Sequence, residues 1–243
     1  MIPFGEALPQ IRRKCDEDLN RRQLDREKVL AAVVSLLDRT LIRIGNVEYA
    51  RQNDSFGLTT LRDRHVDIVG TQVTFAFQGK SGKDHTISLA DRRLARIVRR
   101  CKEVPGYELF QYYDDNGNRT PVDSSAVNAY LREIAGSEFT AKDFRTWGGS
   151  VQAALVLDEL GPATSPTSAR RKLSKMARAV GERLGNTPTV CRAYYIHPAL
   201  IESFESGTFH DAWQRHFKSA RSASGLVREE AALLAFLREQ SSE

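Results

Sequence analysis

Hydrophobic positions along the chain recur mostly at helical spacing. From Asp25 to about Thr40, Val29, Leu30, Val33, Leu36 and Leu37 form one apolar stripe, and Leu8 to about Arg22 reads as a charged amphipathic helix. The period then changes to two. Val66 and Ile68 alternate with polar residues, as do Val73, Phe75 and Phe77, and Thr86-Ile87-Ser88-Leu89 reads as a third strand. The link Gly79-Lys80-Ser81-Gly82-Lys83-Asp84 is a turn by composition. Helical spacing resumes at about 91–101, 124–135, 141–160, 168–184 and 227–238. Three stretches read as loops: 113–121 with its Asp-Asp-Asn-Gly-Asn run, 161–167, and 219–225. The pattern predicts an α+β, predominantly helical fold in one domain over residues 1–243. A small antiparallel sheet is expected near residues 64–90, with a last helix at about 226–239.

Composition changes this picture little. A chain of 243 residues with 41% hydrophobic and 28% charged residues is ordinary for a globular protein. It contains no apolar run long enough for a bilayer and no signal-peptide pattern at its start. Cys15, Cys101 and Cys191 are isolated and odd in number, which predicts a reducing cytoplasm and no disulfide framework. The five histidines form no metal-ligand motif, so neither metal nor cofactor is expected.

The distribution of charge is more telling than its total. Between Gly161 and Leu200 stand seven basic residues and one acid, Glu182, a net of +6; the whole chain is +5, so the remainder nets −1. A charge run is usually a solvated helix face. This one leads straight into Asn186-Thr187-Pro188 and the pair Tyr194-Tyr195, where a polyanionic ligand would need it.

Arg43, Lys80, Arg145, Asn186 and Tyr195 together are the parts needed to cleave and reseal a phosphodiester without a metal. A tyrosine phenol, with an ordinary pKa of about 10, must lose its proton to attack phosphorus. Guanidinium groups can bind two phosphoryl oxygens and offset the charge that develops there. Each residue has a plainer reading: Arg43 as a surface ion pair, Lys80 as a solvated turn residue rivalled by Lys83, either tyrosine as packing. Arg145 is different, since a charge beside Phe144 and Trp147 would be costly without a partner.

Leu41-Ile42-Arg43-Ile44-Gly45, Phe77-Gln78-Gly79-Lys80, Lys142-Asp143-Phe144-Arg145-Thr146-Trp147-Gly148 and Gly185-Asn186-Thr187-Pro188 resemble the poxvirus-like and bacterial type IB DNA topoisomerases. The resemblance covers nearly the whole chain. It implies the catalytic fold shared with tyrosine recombinases, and transient cleavage of one strand of duplex DNA through a 3′-phosphotyrosyl ester. It further implies Tyr195 as nucleophile, selected by its spacing from Asn186 and by the Tyr-Ile-His-Pro tail, with Tyr194 left to packing. Lys80 becomes the general acid for the 5′ oxygen, and Arg43, Arg145 and Asn186 the donors to phosphate. The family most often has histidine at position 186; an amide can donate there but cannot exchange a proton near neutrality. The resemblance also implies a catalytic domain without the smaller preceding clamp domain.

Expected DNA contacts are Lys83, Arg170, Arg171, Lys172, Lys175 and Arg192, and the cluster Arg92, Arg93, Arg96, Arg99 and Arg100 faces either DNA or solvent. The partner is duplex DNA, bound by a monomer without a membrane, in a nucleoid-associated cytoplasmic protein. Two other readings remain: a tyrosine recombinase, which usually has histidine where this chain has Lys142, and a helical DNA-binding module without catalysis.

Overall fold

The computed structural model describes residues 1–136, 138–222 and 225–241. Two compact units divide the chain: one is Gln10–Lys142, the other joins Met1–Pro9 to Asp143–Glu243. Helices dominate both, and the described strands form two small antiparallel sheets.

The Gln10–Lys142 unit holds most of helix α1 (Ile2–Leu19), then α2 (Arg26–Thr40) and α3 (Val47–Asn53). The predicted stripe of α2 is buried throughout, and Asp25 caps the helix by accepting from Lys28 N at 3.1 Å. Strands β1 (Val66–Val69), β2 (Gln72–Gln78) and β3 (Asp84–Ala90) form an antiparallel meander. Val73, Phe75 and Phe77 all point to its buried face, as their alternation requires. Phe75 lies opposite Val66 on one side and Ile87 on the other, and Phe77 stacks on His85 with ring centroids 5.2 Å apart.

Helix α4 (Arg92–Lys102) and α5 (Ser124–Ala135) complete this unit, with a two-stranded ribbon between them. The ribbon, β4 (Gln111–Tyr113) and β5 (Arg119–Pro121), occupies the stretch expected to be a loop. Its turn is the Asp-Asn-Gly run: Asp114 Oδ1 accepts from Asn116 N at 3.0 Å and Asn118 N at 2.7 Å. Several arginines of α4 serve internal contacts. Arg93 binds Asp16 and Asn20, Arg99 reaches Gly70 O, and Arg100 reaches Arg22 O.

The other unit is built on α6 (Ala141–Leu160), followed by α7 (Pro166–Leu184), α8 (Pro188–Tyr194), α9 (Pro198–Ser206), α10 (Phe209–Ser219) and α11 (Arg228–Gln240). The first helix begins at Ile2, earlier than its expected start at Leu8, and carries Pro9 inside it. A Cβ on Gly5 would fall 2.4 Å from the Trp147 ring, so this early turn packs closely on α6. Trp147 Nε1 donates to Glu230 Oε1 at 3.2 Å, and Glu230 Oε2 accepts from Val227 N at the start of α11. Trp213 stacks between Phe209 and Phe217 and meets Phe236 edge-on, joining α10 to α11. The expected 219–225 link includes residues 223 and 224, which lie outside the described residues.

Candidate active site

In the unit built on α6, one helix face gathers the tyrosine segment. Arg145 and Gly149 are four residues apart, as are Thr146 and Ser150, so all four share a side of α6. Arg145 is only 4% exposed, and its Nη2 donates to Leu184 O at 2.9 Å, a carbonyl at the end of α7. Its guanidinium carbon lies 5.1 Å from the centre of the Tyr195 ring, a cation–π contact. A Cβ on Gly149 would meet Tyr195 O at 2.5 Å, so the tyrosine backbone rests on α6 at a position where a side chain is missing. One residue on, Ser150 Oγ accepts from His197 N at 2.9 Å.

Local signals place Asn186 at the end of α7. Gly185 adopts φ 65°, and Asn186 N turns back to Gly181 O at 2.9 Å, which closes the helix in a Schellman-type cap. Asn186 is buried. Thr187 then caps α8, accepting from Val190 N at 3.3 Å, with Pro188 in the first turn. Tyr195 lies just past the end of α8, its N bonded to Cys191 O at 2.9 Å. Arg145 Nε and Asn186 Nδ2 are buried atoms with no hydrogen-bond acceptor, although each of these side chains has other contacts.

The two neighbouring tyrosines separate sharply. Tyr195 is 8% exposed, whereas Tyr194 is 61% exposed. The expectation that Tyr194 packs is therefore corrected: successive residues at a helix end point in different directions, and it is Tyr195 that turns onto α6. His197, in the same tail, has its pKa lowered from the usual imidazole range by burial and by the chain's amino terminus, partly opposed by Glu202. Its Nδ1 accepts from Ala199 N at 3.2 Å.

Arg43 and Lys80 belong to the Gln10–Lys142 unit, where both line one cavity of about 400 Å³ with Glu48, Tyr49, Gln52 and Phe56. The Arg43 segment is pinned by its backbone. Leu58 N donates to Arg43 O at 2.8 Å, and Thr59 N to Ile44 O at 2.7 Å. Gly57 makes this possible, since a Cβ there would stand 2.6 Å from Arg43 O. Next to it, Phe56 N donates to Gln78 O at 2.7 Å, tying the same loop to the end of β2 just before Lys80. The Lys80 turn closes through Gly79 N to Lys83 O at 2.7 Å, with Ser81 at φ 66°. Lys83 is exposed and does not line the cavity.

The expected DNA contacts divide. Arg170, Arg171 and Lys175 are exposed on α7. Lys172 is not available in the same way: its Nζ donates to the carbonyls of Leu160, Gly161 and Pro162 at 2.6, 3.1 and 2.9 Å. It closes the end of α6, where a cation also meets the negative end of the helix dipole. Arg192 pairs with Glu205 at 3.3 Å on the surface. Sequence reasoning missed Gly149, Ser150 and Tyr49 altogether. The family motif ends at Gly148, and α3 carries no apolar stripe to mark it.

Comparison with known proteins identifies the family. Over 213 residues the chain is 27% identical to DNA topoisomerase 1B of Acanthamoeba polyphaga mimivirus, covering 85% of this chain and 63% of that protein. It is 20% identical to DNA topoisomerase I of Monkeypox virus and to DNA topoisomerase 1B of Vaccinia virus, each over 198 residues, 81% of this chain and 60% of theirs. The chain thus spans less than two thirds of the length of these relatives, all of them viral. The model of the eukaryotic DNA topoisomerase I catalytic core matches residues 2–218, and the chain belongs to that family.

Proposed function

We propose that the protein relaxes supercoiled duplex DNA by nicking and resealing one strand, without ATP or metal. The phenolic oxygen of Tyr195 attacks the phosphorus, its proton passing to water. The bond from phosphorus to the 5′ oxygen breaks, leaving a 3′-phosphotyrosyl ester and a 5′-hydroxyl. Lys80 gives the proton to the departing 5′ oxygen, and Arg43, Arg145 and Asn186 donate to the phosphoryl oxygens as charge develops. The ester conserves the energy of the cleaved bond, so the reverse attack reseals the strand after the duplex has rotated.

The observation that carries this reading is the seat of Tyr195: buried against α6, its ring already beside the Arg145 guanidinium before DNA arrives. A cation so placed accords with a tyrosine that must become a phenolate. The second support is the shared cavity of Arg43 and Lys80, whose charges suit a phosphate and its leaving oxygen. Lys83, Arg170, Arg171, Lys175 and Arg192 add the sequence-independent contacts to the duplex. The reading extends to a monomer acting on nucleoid DNA in the cytoplasm; among the described residues no helix is long and apolar enough to cross a membrane.

Negatively supercoiled plasmid, incubated with the protein in chelator without ATP, tests the reading. Relaxation through a ladder of topoisomers is the expected result. Recombinant products from paired sites would instead favour the recombinase, and unchanged supercoiling with simple DNA retention would favour a binding module.

A further inference from the structure

Lys80 is a long, flexible side chain at the tip of an exposed turn, and a general acid must present its proton at one point. Among the described residues no carboxylate lies within ion-pair distance of it. The contact it does make is with a ring: its Nζ sits 5.9 Å from the centre of Tyr49. Tyr49 and Lys80 line the same cavity as Arg43. The backbone of Tyr49 belongs to the short, capped helix α3. Asn46 Oδ1 accepts from Tyr49 N at 2.8 Å, and Asn53 Nδ2 donates to Tyr49 O at 3.2 Å.

We infer that Tyr49 is a positioning residue for Lys80, its ring face holding the ammonium at the mouth of the cavity that contains Arg43. This rests on the reading of Lys80 as the acid that protonates the 5′ oxygen. A flexible four-carbon stem samples many rotamers, so a favoured location raises the fraction of time the proton is within reach. The aromatic face attracts the ammonium electrostatically, and the phenolic hydroxyl plays no part in that attraction. Tyr49 is 37% exposed, so exchanging its ring for an aliphatic side chain leaves the core intact.

A leaving group that needs no proton isolates this role. DNA in which the bridging 5′ oxygen at the cleavage site is replaced by sulfur expels a thiolate, whose conjugate acid has a pKa of about 8.5 in the cysteine case. Single-turnover cleavage of ordinary and sulfur-bridged DNA would be measured for the intact protein, Lys80→Ala, Tyr49→Leu and Tyr49→Phe. An exposed cation–π contact corresponds to roughly two- to fivefold in rate. Tyr49→Leu should therefore cleave ordinary DNA roughly two- to fivefold more slowly, and sulfur-bridged DNA at the intact rate. Tyr49→Phe should restore the ordinary rate. Equal slowing on both substrates, or no slowing on either, overturns the role of Tyr49 while leaving a sulfur-rescued Lys80→Ala as the acid. A Lys80→Ala variant that sulfur does not rescue removes the acid assignment and the Tyr49 proposal with it.

Discussion

A Cβ on Gly149 would stand 2.5 Å from the main-chain oxygen of Tyr195 and 3.4 Å from its Cβ. In an ordinary helix interior, replacing glycine by alanine stabilises by roughly 0.5–1 kcal/mol. Here the sign reverses, because the nearest obstacle is backbone and cannot rotate away. Gly149→Ala is predicted to destabilise the protein by about 1–3 kcal/mol, the usual range for overpacking. It should also slow DNA cleavage by tenfold or more, since a shift of about 1 Å in a reacting group can cost roughly 10² in rate. Melting temperature and single-turnover cleavage check both parts; a melting temperature raised above that of the intact protein would contradict the seating of Tyr195 on α6.

Asn186 tests the difference between donating and titrating. Removing one preorganised donor to a developing oxyanion typically costs about 10²–10³ in rate. Asn186→Ala should show a loss of that order with DNA affinity little changed. Between pH 6 and 8 the cleavage rate of the intact protein should show no step attributable to position 186. A rate that changes sharply near pH 6.5 and loses this dependence in Asn186→Ala would contradict the assignment.

Lys172 separates structural from DNA-facing cations. Its three bonds to the carbonyls of residues 160–162 predict that Lys172→Met destabilises by about 1 kcal/mol. The dependence of DNA affinity on salt should stay as steep as in the intact protein. Arg171→Ala and Lys175→Ala, on exposed positions of α7, should each make it shallower by about one unit if they contact phosphates. A Lys172→Met variant with a shallower slope and an unchanged melting temperature would reverse this division.

These contrasts show where the sequence spoke clearly. The stripe of α2, the alternation of Val73, Phe75 and Phe77, and the whole of α6 were legible because burial on one face imposes a period. Helix α3 was not, because only Ala50 of its seven residues is buried and no period can emerge. Helices α8 and α9 begin with Pro188 and Pro198, residues that punctuate a pattern read along the chain yet fit the first turn of a helix. The β4–β5 ribbon has three-residue strands, too short for alternation beside its strong turn signal. Within the site, motifs located Arg145 and Tyr195, but the exposure of Tyr194 depends on where α8 ends. The duty of Lys172 depends on where α6 ends. Tertiary packing decides both.

Histidine burial gives the stability a direction with pH. His197 and His65 both have pKa values lowered from the usual range, each chiefly by burial. Nδ1 of His197 accepts from Ala199 N, and that of His65 from Arg62 N, so protonation there removes an acceptor. The unfolded chain takes up these protons first, near pH 6.5, and the folded protein only at lower pH. Stability from the neutral rings is therefore full above about pH 6.5 and declines as pH falls below it, by at most about 1.4 kcal/mol per pH unit for each ring. Melting temperatures from pH 7.5 to 5.5 should fall less steeply in His197→Gln than in the intact protein. A steeper fall in that variant would contradict the stated sign.

The most direct test of the account is the identity of the amino acid joined to DNA. A duplex whose fragment bearing the new 5′-hydroxyl is too short to stay annealed loses the group that would reseal the strand and so traps the covalent adduct, and mass spectrometry of its peptides locates the attachment. A 3′-phosphodiester on Tyr195, the buried residue beside Arg145, is the expected result, with no adduct from Tyr195→Phe. Attachment to the exposed Tyr194, or the absence of any adduct with the intact protein, would contradict it.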